Sequence, residues 1–329
     1  MVEMRKPSKR KKGLKVLVYG ETFTGKTYFV LSFPGIKVID SEDGYSWYEG
    51  EPEGKNLQGI ASTQSFYDVE DFLDELEDDH EVQTFAVDSE TKVYENIQET
   101  LLNMDEKRAR QKGKDELDAN ISMRSWGKIK QLAKRIQNAE IRLATQGVNV
   151  ISVAQSKDIM KDMGNNTRIK VGTTPDMQKN ADYAYDLAIR LFVDEDGKHM
   201  GEIIKDRTHV THKGDIIENP SYKIWKERIE GKDNQGETIK TDFNDDTKKS
   251  ASQYNETLDK VDILDNDSTT FVQKLSAVVK LLKGDQVKAM QKDLLTKTKA
   301  KSAADLKAMT AEQEKIAIKV LRSYANKAV

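Results

Sequence analysis

The sequence predicts an α/β fold built on a mostly parallel sheet, followed by a small helical module. Over about the first two hundred residues, short apolar runs alternate with helical patterns, which is typical of a parallel sheet covered on both faces. From about residue 231 to 267 apolar residues become sparse, and helical periodicity then resumes. The predicted organisation is a basic tail at 1–12, a core at 13–230, a flexible linker at 231–267 and a basic helical module at 268–329.

Six apolar runs of the core are predicted strands, because each is short and followed by turn-forming or polar residues. They cover residues 16–19, 36–39, 85–87, 148–153, 187–193 and 200–204. Two helices are predicted between them. Ser65 is placed to cap the first, and the second extends over about 123–145 with apolar residues at helical spacing. Trp126 lies on this second helix, where we expect a core anchor, with a base-stacking platform as the alternative.

Composition excludes several classes of site. The 329 residues include no cysteine, so disulfides and cysteine-ligated zinc or iron–sulfur sites are excluded. No apolar run approaches the roughly 20 residues of a membrane span, and the N-terminus lacks the apolar stretch of a signal peptide. We therefore expect a soluble intracellular protein with no membrane partner.

Charge is distributed unevenly along a chain whose net charge is −3. Residues 1–13 and 271–329 are basic, whereas 40–81 is acidic. Basic ends on a nearly neutral protein indicate contacts with a polyanion. Ordinary solvation of helix faces explains the same pattern, so charge alone leaves nucleic-acid binding open.

The pattern G-x-x-x-x-G-K-[ST] is satisfied by Gly20, Glu21, Thr22, Phe23, Thr24, Gly25, Lys26 and Thr27. A predicted strand precedes these residues and a helical pattern follows them, which is the context of a phosphate-binding loop. In such a loop backbone N–H groups surround the phosphates. Lys26 is then expected to reach the β- and γ-phosphates of a nucleotide, and Thr27 to hold Mg²⁺.

Polar residues at the ends of three other strands are candidates for the chemistry. Asp88 ends an apolar strand, as expected for the carboxylate that orients a magnesium shell. Glu42 follows the strand after the phosphate loop and is placed to activate water. Asp40 ends the same strand and is a second candidate, with a structural role as the alternative. Gln155 ends a further strand, where its amide can contact a γ-phosphate. Open α/β sheets bind ligands at these carboxyl ends, so we expect the groups to meet.

Taken together, these residues resemble the ATPase core of the RecA superfamily over about residues 13–230. The resemblance implies that Glu42 activates water and that the loop after Gln155 contacts single-stranded DNA. The segment 202–208 is similar to the Lys-x-Arg strand end of ring-forming members. Lys205 and Arg207 are then implied to reach the nucleotide of a neighbouring subunit, with two solvated basic side chains as the alternative.

Within that superfamily the chain is most similar to phage-encoded annealing ATPases of the Sak type. This resemblance implies ATP and Mg²⁺ as cofactors, single-stranded DNA as partner, a homo-oligomeric ring or filament, and the cytoplasm of an infected bacterial host. One departure is Phe23-Thr24, where relatives often have small residues. The basic segments 106–130 and 156–179 are expected to be flexible loops along the DNA, or else solvated surface loops.

Two other functions remain open at this point. One is a ring helicase, although no N-terminal collar domain is evident in the sequence. The other is a nucleotide-gated DNA-binding protein with negligible hydrolysis. The basic helical module is expected to bind either DNA or a protein partner, such as a single-strand-binding protein with an acidic terminus.

Overall fold

A computed structural model describes residues 4–79, 81–115, 119–164, 167–262, 264, 269–302, 304–307 and 309–328. The chain divides into two compact units, and the boundary falls between Asn244 and Asp245. The first unit contains the sheet, and the second consists of helices. The predicted fold class, an α/β core followed by helices, is confirmed. None of the described helices has the length and apolar character that a membrane span requires.

In the described part of the chain, nine strands form the sheet of the first unit. They are β1 (Lys15–Gly20), β2 (Ile36–Asp40), β3 (Leu57–Ser62), β4 (Thr84–Asp88), β5 (Asn149–Asp162), β6 (Arg168–Pro175), β7 (Leu187–Val193), β8 (His199–Asp206) and β9 (Ile216–Glu218). The order is β3-β2-β4-β5-β1-β7-β8-β9, and β6 pairs with β5. The strands from β3 to β7 in this order are parallel, whereas β8, β9 and β6 are antiparallel to their neighbours.

Helices cover both faces of this sheet. Those of the first unit are α1 (Lys26–Leu31), α2 (Phe66–Glu75), α3 (Glu90–Gln111), α4 (Met123–Thr145) and α5 (Lys226–Glu230). Helix α1 packs on one face together with the buried Trp225. Helices α2, α3 and α4 pack on the other face, against alternate side chains of β2, β4 and β5. A parallel sheet has this arrangement because both of its faces are apolar.

The chain continues with α6 (Phe243–Asp262), α7 (Phe271–Val279), α8 (Gly284–Thr298) and α9 (Ala311–Ala328). Helix α6 lies inside the segment 231–267, for which the sequence predicts a flexible linker. Its sequence has few apolar positions, and the acidic Asp245 and Asp246 in its first turn favour a helix through the helix dipole. Helices α7 to α9 enclose a core of their own that includes Val278, Leu294 and Leu321.

Six predicted strands and two predicted helices are present, and the bounds of α4 agree with the sequence pattern. The expected flexible loops are regular structure instead. Residues 156–162 continue β5 and pair with β6 as an antiparallel hairpin. Much of 106–130 belongs to α3 and α4. Helix α3 is not among the predicted helices, because charged residues separate its apolar positions.

Helices α3 and α4 form an antiparallel pair that extends past the carboxyl edge of the sheet. Glu90 at the start of α3 lies near Glu140 of α4, and Asp105 accepts a hydrogen bond from Ser122 N at 2.8 Å. The end of α4 lies at the amino edge, where Ala144 O accepts from the backbone N–H of Gly13. Because residues 123–140 of α4 cover about 25 Å, the other end of the pair projects outward. We call residues 101–111 and 123–134 the helical arm.

Two glutamates are buried together where α3 and α4 meet the sheet. Tyr185 Oη donates toward Glu90 Oε2 at 3.1 Å and lies 3.5 Å from Glu140 Oε2. Ser152 Oγ donates to Glu140 Oε1 at 3.0 Å. Burial raises the pKa of Glu90, and burial together with the charge of Glu90 raises the pKa of Glu140 well above its usual range. The hydrogen bonds from Ser152 and Tyr185, and then the charge of Lys15, oppose this rise in the pKa of Glu140.

We expect Glu140→Gln to flatten the dependence of stability on pH. A carboxyl whose pKa is raised in the folded state binds its proton more tightly there than in the unfolded chain, so its contribution is present at low pH and is lost as pH rises through the raised pKa. Thermal unfolding from pH 5 to pH 9 should show the wild type losing stability with rising pH and the variant losing less. Glu99→Gln, an exposed position on α3, is the control. Parallel curves for Glu140→Gln and wild type would contradict the assignment.

Candidate active site

Four strands end at the same edge of the sheet and place their polar residues together. The register pairs Gly20 with Gln155, and it pairs Asp40 with Asp88. β5 lies between β1 and β4, so these residues follow one another across the edge. The convergence is a direct result of the parallel pairing, which aligns the carboxyl ends of neighbouring strands.

The loop between β1 and α1 folds back on itself. Phe23 and Gly25 have φ angles of 62° and 91°, a conformation that costs glycine little and other residues more. Thr24 Oγ1 donates to Glu21 O at 2.8 Å, and Lys26 Nζ donates to Gly20 O at 3.1 Å and to Glu21 O at 2.7 Å. Thr24 is buried, whereas Phe23 is 91 % exposed. At the position where relatives often have a small residue, the Phe23 ring therefore extends into solvent, and the hydrogen bonds of Thr24 and Lys26 within the loop are still made.

Asp88 lies below the loop and accepts two hydrogen bonds on one oxygen. Thr27 Oγ1 donates to Asp88 Oδ2 at 3.2 Å, and Tyr45 Oη donates to the same atom at 3.1 Å. Burial raises the pKa of Asp88 to about 6, and the charge of Glu42 adds to this, whereas Tyr45, Thr27 and Lys26 oppose it. Burial also lowers the pKa of Lys26, against the attraction of Asp88 and Glu42. Burial therefore disfavours the charged forms of both Asp88 and Lys26, and a bound cation or phosphate would favour them again.

The donor set fits a magnesium ion that is bound through a nucleotide. One carboxylate and one hydroxyl lie side by side, and Mg²⁺ commonly takes few protein ligands and completes its shell with phosphate oxygens and water. Among the described residues, no group of three or more His, Cys, Asp or Glu side chains forms a protein-only metal site. Thr27 and Asp88 are the residues that would hold the ion.

Glu42 is held in place by groups from two other strand ends. Ser89 Oγ donates to Glu42 Oε1 at 2.7 Å, and Gln155 Nε2 donates to the same atom at 2.8 Å. The residues Glu42 and Gln155 are 113 positions apart in sequence and are in direct contact. The carboxylate is thereby fixed beside the phosphate loop, with Oε2 as its second oxygen.

The turn that carries Glu42 is organised by Asp40. Asp40 Oδ1 accepts from the backbone N–H of Glu42 at 3.2 Å and of Gly44 at 3.1 Å, and Oδ2 accepts from Tyr45 N at 2.9 Å. A buried carboxylate with three backbone donors is fully engaged in holding a turn. The contacts of Asp40 therefore support a structural role, in which it holds the turn that carries Glu42.

Two residues of this site have no signal in the sequence. Ser41 Oγ donates to Ser89 O at 3.0 Å and accepts from Ser89 N at 2.7 Å, which joins the ends of β2 and β4. Tyr45 is fully buried and reaches Asp88. A serine and a tyrosine after a strand are common, so only the fold identifies them. Spacing in the sequence carries no sign that either side chain reaches Asp88 or Ser89.

A cavity of about 930 Å³ opens above the loop, large enough for a nucleoside triphosphate. Glu42 and Asp88 line it on the side of β2 and β4, whereas Leu191, His199 and Asn219 line it on the side of β7 to β9. The phosphate loop lies between the two groups. A triphosphate whose last phosphate lies at Glu42 would therefore direct its nucleoside toward β7 to β9.

Lys205 and Arg207 are not part of this cavity. β8 is antiparallel to β7, so Asp206 pairs with Leu187, the first residue of β7. This places both basic residues at the amino edge of the sheet, about 15 Å from the phosphate loop. Lys205 Nζ donates to Asp182 O at 2.9 Å, and Arg207 lies 3.6 Å from the carboxylate of Asp186. They cannot contact a nucleotide bound in the same chain.

The two basic segments project from the edge that carries the site. The first is the helical arm. The second is the hairpin of 156–162 and β6, which we call the β-arm and whose Lys170 Nζ lies 3.8 Å from Glu21 Oε1. Trp126, expected in the core, lies on the helical arm with 44 % of its surface exposed and outside the two large core clusters of the first unit. That expectation was wrong.

A family model described as an AAA domain matches residues 12–215. The matched range contains the phosphate loop together with Glu42, Asp88, Gln155 and the Lys205/Arg207 strand end. No curated protein matches the chain.

Proposed function

Because the chain belongs to the AAA-domain family, whose model matches residues 12–215, we propose that it is a Mg²⁺-dependent ATPase that assembles on single-stranded DNA and promotes annealing or strand pairing. The family supplies an AAA-type P-loop ATPase domain. We propose further that DNA stimulates hydrolysis, that the protein acts in phage recombination and that it forms an oligomer. The observation that carries it is Glu42, fixed by Ser89 and Gln155 beside the phosphate loop.

Each residue of the site has a task in this mechanism. The loop N–H groups and Lys26 bind the β- and γ-phosphates, and Lys26 already lies within 3.1 Å of two loop carbonyls that a phosphate would replace. Glu42 Oε2 accepts the proton of the attacking water while Oε1 stays bonded to Ser89 and Gln155. The bound Mg²⁺, held through Thr27 and Asp88, would neutralise charge that develops on the phosphates.

Gln155 connects the site to the DNA-binding surface in this proposal. It bonds to Glu42, and its own strand, β5, continues directly into the β-arm. The backbone there is anchored, because Gln155 N donates to Thr91 Oγ1 at 2.9 Å and Asp176 N donates to Gln155 O at 2.7 Å. The side chain of Gln155 would respond to a change at Glu42, and its backbone bonds to Thr91 and Asp176 would pass that change to the base of the β-arm.

Two arms with basic residues on the same edge support contact with a phosphate backbone. Lys157, Lys161 and Arg168 lie on the β-arm, and Arg108 and Arg124 lie on the helical arm. Such side chains bind single strands without reading sequence, with an affinity that falls steeply as salt rises. The helical arm and the β-arm replace the flexible loops that the sequence indicated.

Lys205 and Arg207 fit a role across a subunit interface. They lie at the edge opposite the phosphate loop, so a neighbouring copy is needed to bring them to a nucleotide. Burial lowers the pKa of Lys205, and the charge of Arg207 adds to this. A nearby phosphate would relieve that repulsion. A ring or a filament would satisfy this geometry equally.

We expect Lys26→Ala to abolish ATP binding and Glu42→Gln to preserve binding while lowering kcat by about 10² to 10⁴, since the carboxylate that accepts the proton is removed. Titration calorimetry gives binding, and phosphate release with and without single-stranded DNA gives turnover. Glu49→Gln, an exposed glutamate after the same turn, is the matched control. A wild type that binds no nucleotide would sink the proposal. If Glu42→Gln anneals DNA as well as the wild type does, the protein is a nucleotide-gated binder. Unwinding of a duplex would identify a helicase.

The interface role has a separate test. Arg207→Ala alone should lower kcat by about 10³ or more, because it removes the charge that stabilises the transferring phosphate. Mixing Arg207→Ala with Glu42→Gln should restore activity to about a quarter of the interfaces, those that pair an intact Glu42 with an intact Arg207 from the neighbour. The control is Glu42→Gln mixed with the Glu42→Gln/Arg207→Ala double variant, which should stay inactive. No recovery in the first mixture would contradict a shared site.

A further inference from the structure

The helical arm presents an aromatic ring to solvent. Trp126 is 44 % exposed, and Met123, one helical turn before it, is 88 % exposed. Tryptophan is highly buried on average, as Trp225 is in this protein, where it is fully buried. Trp126 lies outside the residues of the two large core clusters of the first unit. The ring therefore lies outside these clusters, with nearly half of its surface accessible to solvent.

A row of lysines follows the ring along the same face of α4. Lys130 and Lys134 lie four and eight residues after Trp126, which places all three on one side of the helix. Both lysines are exposed. Gln137, near the same side one turn later, donates to Ala181 O at 3.3 Å, so the row turns toward the segment that follows the β-arm. The face combines one flat ring with two positive charges and has no continuous apolar stripe.

We propose that Trp126 is a base-stacking platform for single-stranded DNA and that Lys130 and Lys134 hold phosphates of the same strand. This rests on the proposed function, since it takes single-stranded DNA as the ligand. A flat ring beside cationic side chains binds unpaired bases, because every base has an aromatic face to stack. A protein partner that docks through an apolar surface fits less well, because it would have to cover the charges of both lysines.

The direct test measures the affinity of the full-length protein for a fluorescent oligo-dT by anisotropy, with ATP analogue and Mg²⁺ present. Trp126→Ala should weaken binding between about 5-fold and about 100-fold. Trp126→Phe should retain most of the affinity, because it keeps an aromatic face. Trp47→Ala is the matched control, since Trp47 is 84 % exposed and lies on a different element, the turn Tyr45–Tyr48. Thermal unfolding confirms that each variant is folded.

Salt dependence separates stacking from phosphate contacts. Lys130→Gln and Lys134→Gln should each reduce the slope of log affinity against log salt by about 0.7, because each removes one phosphate contact to a single strand. Trp126→Ala should lower affinity at every salt concentration and leave this slope unchanged. A smaller slope in Trp126→Ala would overturn the stacking role, since the substitution would then act by displacing the lysines.

The remaining outcomes distinguish this inference from the proposed function. If the wild type hydrolyses ATP and binds no single-stranded DNA, the proposed DNA function fails and the stacking platform fails with it. If the wild type binds DNA and Trp126→Ala binds equally well, or loses no more than Trp47→Ala, only the stacking platform fails. Tighter binding of oligo-rU than of oligo-dT would overturn the choice of DNA.

Discussion

The parallel register of β2, β4, β5 and β1 is the constraint on which the rest of the site depends. It aligns Gly20 with Gln155 and Asp40 with Asp88, although these residues are far apart in sequence. A shift of one residue would exchange the side chains between the two faces of a strand, so the different apolar clusters that pack on each face fix the register. The positions of the candidate chemical groups therefore follow from burial.

Within that edge, hydrogen bonds restrict Glu42 more closely than the strands alone could. Asp40 shapes the turn before it, and Ser89 and Gln155 hold its Oε1 atom. Positioned in this way, the carboxylate loses little freedom when a substrate binds, which is the condition for efficient proton transfer. The same edge carries the helical arm and the β-arm, and β5 contributes both Gln155 and one strand of the β-arm.

The sequence predicted the elements whose cause is local and missed those whose cause is tertiary. Apolar runs predicted six strands, and the glycine and lysine spacing predicted the phosphate loop. β3 has Gln58 and Gly59 between its apolar residues, and apolar residues of β6 alternate with Arg168 and Lys170, so their pairing partners decide them. Ser41 and Tyr45 become site residues only because β2 and β4 are adjacent. Trp126 was assigned to the core because helical periodicity does not say how far a helix extends beyond its sheet.

A double-mutant cycle on single-turnover ATP hydrolysis tests most directly whether Gln155 acts through its contact with Glu42. Glu42→Gln, Gln155→Ala and the double variant are compared with wild type at saturating nucleotide. The account predicts strong coupling, with the double variant about as slow as Glu42→Gln alone. Rate losses that multiply would show that the two residues act independently and would contradict the account.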